Sequence, residues 1–310
     1  MFTTSLLSKL TDSANRRHLD RLQPDYGRWI PPVEDAPGIP GHIFQICLRG
    51  KDEDSETVFL SLPNSFKDNI RALQDRNPGC EYHLVCDKEA RDFILKYYGD
   101  VIYDYYIRLD ARYGAARADF LRYLLLYECG GVYMDLKSTV TESLSDHLRG
   151  DDRFLLFYWD NIEGGNHHFL IPDYIEGGEM LQGFIISARR HPFLRSVILQ
   201  VLKNIDRYNP YTDGIGWTGV LNVCGPAMYT KTLFEAARNA DVSQPSLYRN
   251  GRPFQDFGFR VSFRQDTRAG SYQKNLSLRD YRKETVPVVV GPDRLMNAIN
   301  RPYLKLLSKR

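Results

Sequence analysis

The chain has 310 residues, of which 43% are apolar and 26% charged, and its formal net charge is +2. This length allows one large domain with a sizeable core, and the balanced charge argues against nucleic-acid binding driven by charge. The five cysteines are odd in number and lack C-x-x-C spacing, which argues against a cysteine zinc site or a disulfide framework. We therefore expect a protein of the reducing cytoplasm.

The N-terminus has no continuous apolar segment typical of a signal peptide, and no apolar run is long enough to span a membrane. We predict three regions: an N-terminal extension with a proline-rich connector (1–38), a main domain (39–295) and a basic tail (296–310). An apolar stripe in the extension, or the basic tail, would supply any peripheral contact with a membrane.

Strand and helix patterns alternate from residue 42 onwards. The apolar run 42–48 predicts a buried strand, and a helix with Phe66, Ile70 and Leu73 on one face ends at an Asn-Pro-Gly turn. A second strand at 81–87 and a further helix follow. This order predicts an α/β fold with a mostly parallel central sheet covered by helices.

The most informative stretch is ADFLRYLLLYECGGVYMDLKSTV, residues 118–140. Asp119 and Arg122 are three apart, so on a helix they share one polar side. Gly130 and Gly131 predict a helix stop and a backbone that can approach a ligand closely.

A strand over 132–140 is predicted next. Its alternation places Tyr133, Asp135 and Lys137 on one face. A carboxylate on an otherwise apolar strand is costly unless it is used, which makes Asp135 a candidate site residue.

Three blocks of the sequence carry a resemblance: IPGHIFQI, then LPNSFKDNIRALQDRNPGCEYHLVCD, then ARADFLRYLLLYECGGVYMDLKSTV. Their order resembles glycosyltransferase family 32, which includes capsular and lipopolysaccharide transferases and is distantly similar to clostridial glucosylating toxins. The resemblance implies a GT-A nucleotide-sugar-binding sandwich and transfer with retention of the anomeric configuration.

The resemblance also implies residue roles. Asp119 would bind nucleoside and sugar hydroxyls, Arg122 the sugar or diphosphate, Tyr133 the phosphates, and Asp135 the donor sugar and any metal. Residues expected to line the nucleotide-sugar site further are Phe44, Gln45, Ile46, Gly130 and Gly131. Asp135, Lys137, Arg122 and Gln182 are the expected catalytic residues, although Gln182, which would face the donor sugar or the acceptor, could instead be a loop amide bonded to backbone.

Lys137 departs from the family pattern, which has a second carboxylate there to complete an Asp-x-Asp chelate for Mn²⁺ or Mg²⁺. An ammonium would repel a cation and could pair with the diphosphate instead, or it could extend into solvent. We therefore predict weak metal binding at Asp135 and catalysis that tolerates the absence of metal.

The implied reaction moves a sugar from a UDP- or GDP-sugar to a hydroxyl of a saccharide, free or lipid-linked, in capsule- or lipopolysaccharide-type polysaccharide synthesis. The implied location is the cytoplasm or the inner face of the membrane, with no nucleic-acid partner. Two alternatives stay open, a toxin-like transferase acting on protein and a non-catalytic nucleotide-sugar-binding protein.

Overall fold

The computed structural model describes residues 24–32, 38–158, 178–239, 249–250, 259–261, 276, 278 and 280–290. Its helices are α1 Tyr26–Trp29, α2 Ser55–Ser61, α3 Asn64–Arg76, α4 Asp87–Arg108, α5 Gly114–Cys129, α6 Pro192–Arg207, α7 Gly216–Val223 and α8 Pro226–Arg238. Its strands are β1 His42–Ile46, β2 Glu81–Val85, β3 Gly131–Met134, β4 Ser138–Thr139, β5 Phe154–Leu156, β6 Phe184–Ser187, β7 Arg249–Asn250 and β8 Arg260–Val261.

Six strands form the central sheet in the order β2-β1-β3-β6-β5-β7. β1 runs parallel to β2 and β3, and β5 runs parallel to β7, whereas β6 is antiparallel to β3 and β5. The predicted α/β fold with a mostly parallel central sheet is confirmed, with three of the five strand pairings parallel. Because β1, β2 and β3 point the same way, their carboxyl ends meet at one edge, where open α/β sheets place their ligands.

Helix α5 is buried over most of its length. Its apolar residues cover nearly the whole circumference and are buried, as expected of a helix enclosed by other elements. It packs against β1, β3 and α6. Its buried residues also include three that are charged: Asp119, Arg122 and Glu128.

No helix within the described ranges combines the length and apolar character needed to cross a membrane.

Part of the predicted N-terminal extension belongs to the body of the domain. Ile30 is fully buried, and the Tyr26 hydroxyl donates a 2.8 Å hydrogen bond to Asp206 on α6. The Trp29 ring contacts that of Tyr105 on α4. Residues 1–23 and the predicted basic tail, 296–310, lie outside the described residues.

The predicted strand over 132–140 is wrong in its second half. Pairing of β3 with β6 ends at Met134, after which the chain turns and the Ser138 amide donates to the Asp135 carbonyl over 2.7 Å. The Gln45 side-chain amide donates to the Asp135 and Ser138 carbonyls, so the turn is stabilised from within. β4 then pairs with β8 in a separate two-stranded sheet.

The double glycine approaches the protein's own backbone, not an open ligand site as the sequence suggested. Gly130 and Gly131 have φ values of 68° and 104°, which only glycine adopts readily. A Cβ on Gly131 would lie 2.6 Å from the His42 carbonyl oxygen, and one on Gly130 would lie 2.7 Å from the Arg189 amide nitrogen. These glycines let α5 end and β3 begin directly beside β1.

We expect Gly131→Ala to lower the free energy of unfolding by roughly 2–4 kcal/mol, because it combines left-handed backbone strain with a backbone clash. Urea denaturation measures this loss. Gly79→Ala is the matched control, since a Cβ there would contact nothing within 4 Å, and it should change stability by less than about 0.5 kcal/mol. Equal unfolding free energies for the two variants would contradict the assigned packing role.

Candidate active site

A chain of four charged side chains lies beyond the carboxyl end of β3. Arg122 Nη2 is 2.8 Å from Asp119 Oδ1 on the same helix, and Arg122 Nη1 is 3.5 Å from Asp135 Oδ1. Lys137 Nζ is 3.5 Å from Asp135 Oδ2. We call Asp119, Arg122, Asp135 and Lys137 the charge cluster.

Arg122 is the buried centre of this cluster, with its side chain 7% exposed. Its guanidinium donates to the carbonyl oxygens of Ala118 and Gln182 and lies over the Tyr133 ring, with Cζ 4.4 Å from the ring centroid. Hydrogen bonds, a cation–π contact and two carboxylates together compensate for removing this cation from water.

Asp135 has several partners in the cluster and yet remains partly exposed. The Tyr133 hydroxyl donates to its Oδ1 over 2.9 Å, and its own amide donates to the Gly183 carbonyl. Burial would raise the pKa of Asp135, but Lys137, Arg122 and the Tyr133 hydrogen bond outweigh it and lower that pKa below its usual value. The side chain stays 25% exposed and ionised, so it can still meet a ligand from solvent.

The pKa of Asp119 is shifted in the opposite direction from that of Asp135. Its side chain is 7% exposed, and burial raises its pKa to about 7 although Arg122 lowers it. The Cys224 thiol also faces its Oδ2 at 4.0 Å. Asp119 therefore forms the floor of the site, beneath Arg122, and does not offer a fully ionised carboxylate at neutral pH.

Lys137 reaches Asp135 through a turn and not through strand alternation. The turn at 135–138 leaves the Lys137 side chain 40% exposed, the most accessible of the four. Exposure thus rises from Asp119 and Arg122 to Asp135 and then Lys137. The cluster opens to solvent at the Asp135–Lys137 pair.

The donor set around Asp135 does not fit Mn²⁺ or Mg²⁺. These cations prefer several oxygen ligands, whereas Asp135 has a guanidinium nitrogen and an ammonium nitrogen each 3.5 Å from its oxygens. The nearby Asp119 carboxylate is paired with Arg122. A divalent cation at Asp135 would have to displace or sit beside two positive charges.

The three β1 residues expected to line the nucleotide-sugar site, Phe44, Gln45 and Ile46, do not share one face of the strand. Phe44 and Ile46 pack into the core with α5, and the Phe44 ring stacks on that of His83. Gln45 points to the other side, fully buried, where its amide holds the 135–138 turn and its carbonyl oxygen accepts from Tyr82. Gln45 therefore acts on the cluster through the backbone of the turn.

Gln182 is also a positioning residue in this structure. It is 6% exposed, and its amide donates to the Tyr123 hydroxyl and to the Cys224 carbonyl, away from solvent. The backbone carbonyl oxygen of Gln182 accepts a hydrogen bond from Arg122 Nη1 over 3.1 Å. Of the two sequence readings, the bonded loop amide is the one that the geometry matches.

Two residues near the cluster were not found from the sequence. A Cβ on Gly183 would lie 3.2 Å from Asp135 Oδ2, so a larger residue there would crowd that carboxylate. Tyr281 comes from the far end of the chain, and its pKa is raised by burial and by the charges of Asp119 and Asp135. The apolar run that follows Gln182 and Gly183 was a usable signal for the first, whereas no local pattern marks Tyr281.

Residues 63–155 match the family model described as "Glycosyltransferase sugar-binding region containing DXD motif". This range contains all four members of the charge cluster. The match supports the glycosyltransferase class that the sequence predicted.

Two curated proteins are similar to this chain in sequence. The chain is 26% identical over 247 residues to an initiation-specific alpha-1,6-mannosyltransferase of Candida albicans, covering 71% of this chain and 58% of the relative. It is 31% identical over 196 residues to inositol phosphoceramide mannosyltransferase 3 of Schizosaccharomyces pombe, covering 60% of this chain and 48% of the relative. The chain thus spans about half the length of the curated relatives it matches.

Among solved structures, PaToxG Glycosyltransferase aligns over 97% of this chain and 98% of its own, with 14% identity and a TM-score of 0.44. Similarity at this level bears on neither substrate nor mechanism.

We expect Asp119→Asn to remove a pH dependence of stability. The folded pKa of about 7 lies above the roughly 3.9 of an unfolded aspartate, so the folded state binds an extra proton between those values. The contribution of Asp119 to the unfolding free energy is therefore full below about pH 4 and is lost as the pH rises through 7. Urea denaturation of both proteins from pH 4 to 8 should show the wild-type advantage falling.

Asp135→Asn is the matched control with the opposite sign. Because the folded pKa of Asp135 is lowered, its contribution is present above the unfolded pKa and is lost as the pH falls through the folded value. A wild-type advantage over Asp119→Asn that stays constant from pH 4 to 8 would show that Asp119 does not take up a proton there.

Proposed function

We propose that this protein is a glycosyltransferase that moves a mannosyl group from a nucleoside-diphosphate donor to a hydroxyl of a saccharide. The family match over 63–155 supports glycosyl transfer. The choice of mannose rests on the relatives from Candida albicans and Schizosaccharomyces pombe, both named as mannosyltransferases.

One observation carries the proposal: the charge cluster is buried at Arg122 and opens at Asp135 and Lys137, at the carboxyl edge of the parallel strands. Asp135 is ionised and accessible, so it can accept hydrogen bonds from sugar hydroxyls. Lys137 is the most exposed cation of the cluster, so it can meet a diphosphate. The sugar and the diphosphate of a nucleotide sugar thus each have a complementary group in the cluster.

The charge balance favours an anionic ligand. Arg122 and Lys137 are positive and Asp135 is negative, while Asp119, with a pKa of about 7, carries only part of its charge near neutral pH. The net charge of the cluster therefore lies between zero and one positive charge. At about 4 Å, an ammonium–phosphate pair is worth on the order of 4 kcal/mol at an effective dielectric near 20.

In the proposed reaction, the bond from the anomeric carbon to the diphosphate oxygen breaks and a bond to the acceptor oxygen forms. The proton of the acceptor hydroxyl goes to the departing phosphate oxygen. Because the acceptor then attacks from the face that the diphosphate leaves, the anomeric configuration is retained. Lys137 stabilises the charge that develops on the diphosphate, in the place where an Asp-x-Asp site uses a metal. Asp135 orients the sugar, and Arg122 holds Asp135.

The acceptor is proposed as a saccharide hydroxyl, either free or on a lipid-linked head group. The name of the Schizosaccharomyces pombe relative points to a lipid with an inositol phosphate head group, whose hydroxyls resemble those of a sugar. The more specific expectation of capsule or lipopolysaccharide synthesis draws no support from the relatives, whose names concern yeast mannosyl transfer. A cytoplasmic site of action, or one at the inner membrane face, remains a proposal from the sequence.

We expect a mannose nucleotide, GDP- or UDP-linked, to raise the melting temperature more than the matching glucose nucleotide, because a bound ligand stabilises the folded state by mass action. A thermal-shift panel of the four compounds, followed by an assay for slow release of free mannose, measures binding and chemistry separately. Binding without any release or transfer would indicate a non-catalytic binding protein. No shift with any nucleotide sugar would contradict the proposed function.

We expect transfer to survive chelation by EDTA, and Lys137→Asp to reverse this behaviour. The variant restores the Asp-x-Asp pattern, so its turnover without metal should fall on the order of 100-fold, the usual effect of losing one charge stabiliser, and should recover with Mn²⁺. Turnover with EDTA and with added Mn²⁺ is the measurement.

Lys96→Asp is the charge-matched control, because Lys96 is an exposed residue of α4 outside the cluster. It should leave both turnover and metal dependence as in the wild type. Wild-type activity that EDTA abolishes and Mn²⁺ restores would overturn the role given to Lys137, while leaving the transferase proposal intact.

A further inference from the structure

A second group of side chains that could bind a ligand lies near the amino end of β1, away from the charge cluster. His42 is the first residue of β1, and Glu81 and His83 lie on β2 beside it, with His42 paired to Glu81 and Phe44 paired to His83. Neighbours in a parallel ladder project to the same face, as do residues two apart on one strand. His42, Glu81 and His83 therefore project together from the outermost strand pair.

Their potential ligand atoms form a nearly regular triangle. His42 Nδ1 lies 3.2 Å from His83 Nε2, and Glu81 Oε2 lies 3.7 Å from the first and 3.8 Å from the second. The centre of a triangle with these sides is about 2.1 Å from each corner, so a tetrahedral ion slightly above this plane would be close to the usual length of Zn–N and Zn–O bonds from all three atoms. In the part of the chain that the structure describes, this is the one group of three such side chains close enough to share an ion.

Hydrogen bonding alone accounts for only one side of this triangle. The two imidazoles can share a proton over 3.2 Å, but Glu81 is beyond hydrogen-bond distance from both rings while nearly equidistant from them. The Phe44 ring stacks on His83 with centroids 4.7 Å apart, which fixes the orientation of that imidazole. The three atoms thus lie close enough to one another to share one cation.

We propose that His42, Glu81 and His83 bind one Zn²⁺ ion. Two imidazole nitrogens and one carboxylate oxygen are a donor set that suits zinc, and a tetrahedral ion would keep its fourth position for water. The side chains are 33%, 69% and 29% exposed in the order His42, Glu81 and His83, so the ion can enter directly from solvent.

This site is separate from the charge cluster. Asp135 follows the carboxyl end of β3, whereas His42 begins β1, which runs parallel to β3. The two sites therefore lie at opposite ends of these parallel strands. The ion would join β2, at the edge of the sheet, to the neighbouring β1. Its role would be to hold these two strands together, independently of the reaction at the carboxyl end of β3.

We expect isothermal titration of the metal-free full chain with ZnCl₂ to show saturable binding of one ion per chain, and saturating Zn²⁺ to raise the melting temperature. His83→Ala and Glu81→Gln should each weaken binding by at least about tenfold, since losing even a supporting contact of a metal site costs that much. Glu81→Gln alters a largely exposed side chain and keeps its shape, so it tests the proposal even if His83→Ala does not fold.

His147→Ala and Asp135→Asn are the controls, the first for any histidine and the second for the charge cluster. Both should bind Zn²⁺ within about twofold of the wild type, whereas wild-type protein with bound Co²⁺ should show the visible absorption of a low-symmetry site that Glu81→Gln loses. The proposal fails if wild-type binding is not saturable, if Glu81→Gln binds as the wild type does, or if Asp135→Asn abolishes binding.

Discussion

The buried guanidinium of Arg122 is the interaction on which the site depends. A cation with 7% exposure is tolerated because Asp119, Asp135, the Gln182 carbonyl and the Tyr133 ring surround it. Removing one partner of such a buried pair typically costs 3–5 kcal/mol, since the remaining charge is left uncompensated. Arg122 thereby ties α5, the end of β3 and the start of β6 into one rigid unit, and it fixes Asp135 without occupying its exposed side.

The sequence predicted the parts of this arrangement that follow from local periodicity. Helical spacing brought Asp119 and Arg122 together, and strand alternation brought Tyr133 next to Asp135, as their 2.9 Å hydrogen bond shows. The class of fold followed from the alternation of strands and helices. What periodicity could not show is where an element stops, because that is decided by partners distant in sequence.

Lys137 and Gln45 illustrate this limit. The strand ends at Met134 because β6 offers its last pairing there, and Gln45, about 90 residues earlier, satisfies the carbonyls of the turn that follows. Lys137 still reaches Asp135, but through a different backbone path from the one predicted. The triangle of His42, Glu81 and His83 was missed for a related reason, since strand register rather than sequence spacing brings it together.

The charges that the cluster retains argue for an altered electrostatic plan and against simple loss of a metal site. Buried ion pairs are weak contributors to stability, and apolar residues of similar volume often replace them without cost. Burying Asp119, Arg122 and Asp135 together would therefore add little to the stability of the fold. Their arrangement is explained if a ligand completes it, and exposure increasing towards Lys137 shows from which side that ligand would come. Lys137, which is paired with Asp135 in the free protein, would then exchange that carboxylate for the diphosphate. Donor binding and charge stabilisation would thus occur together.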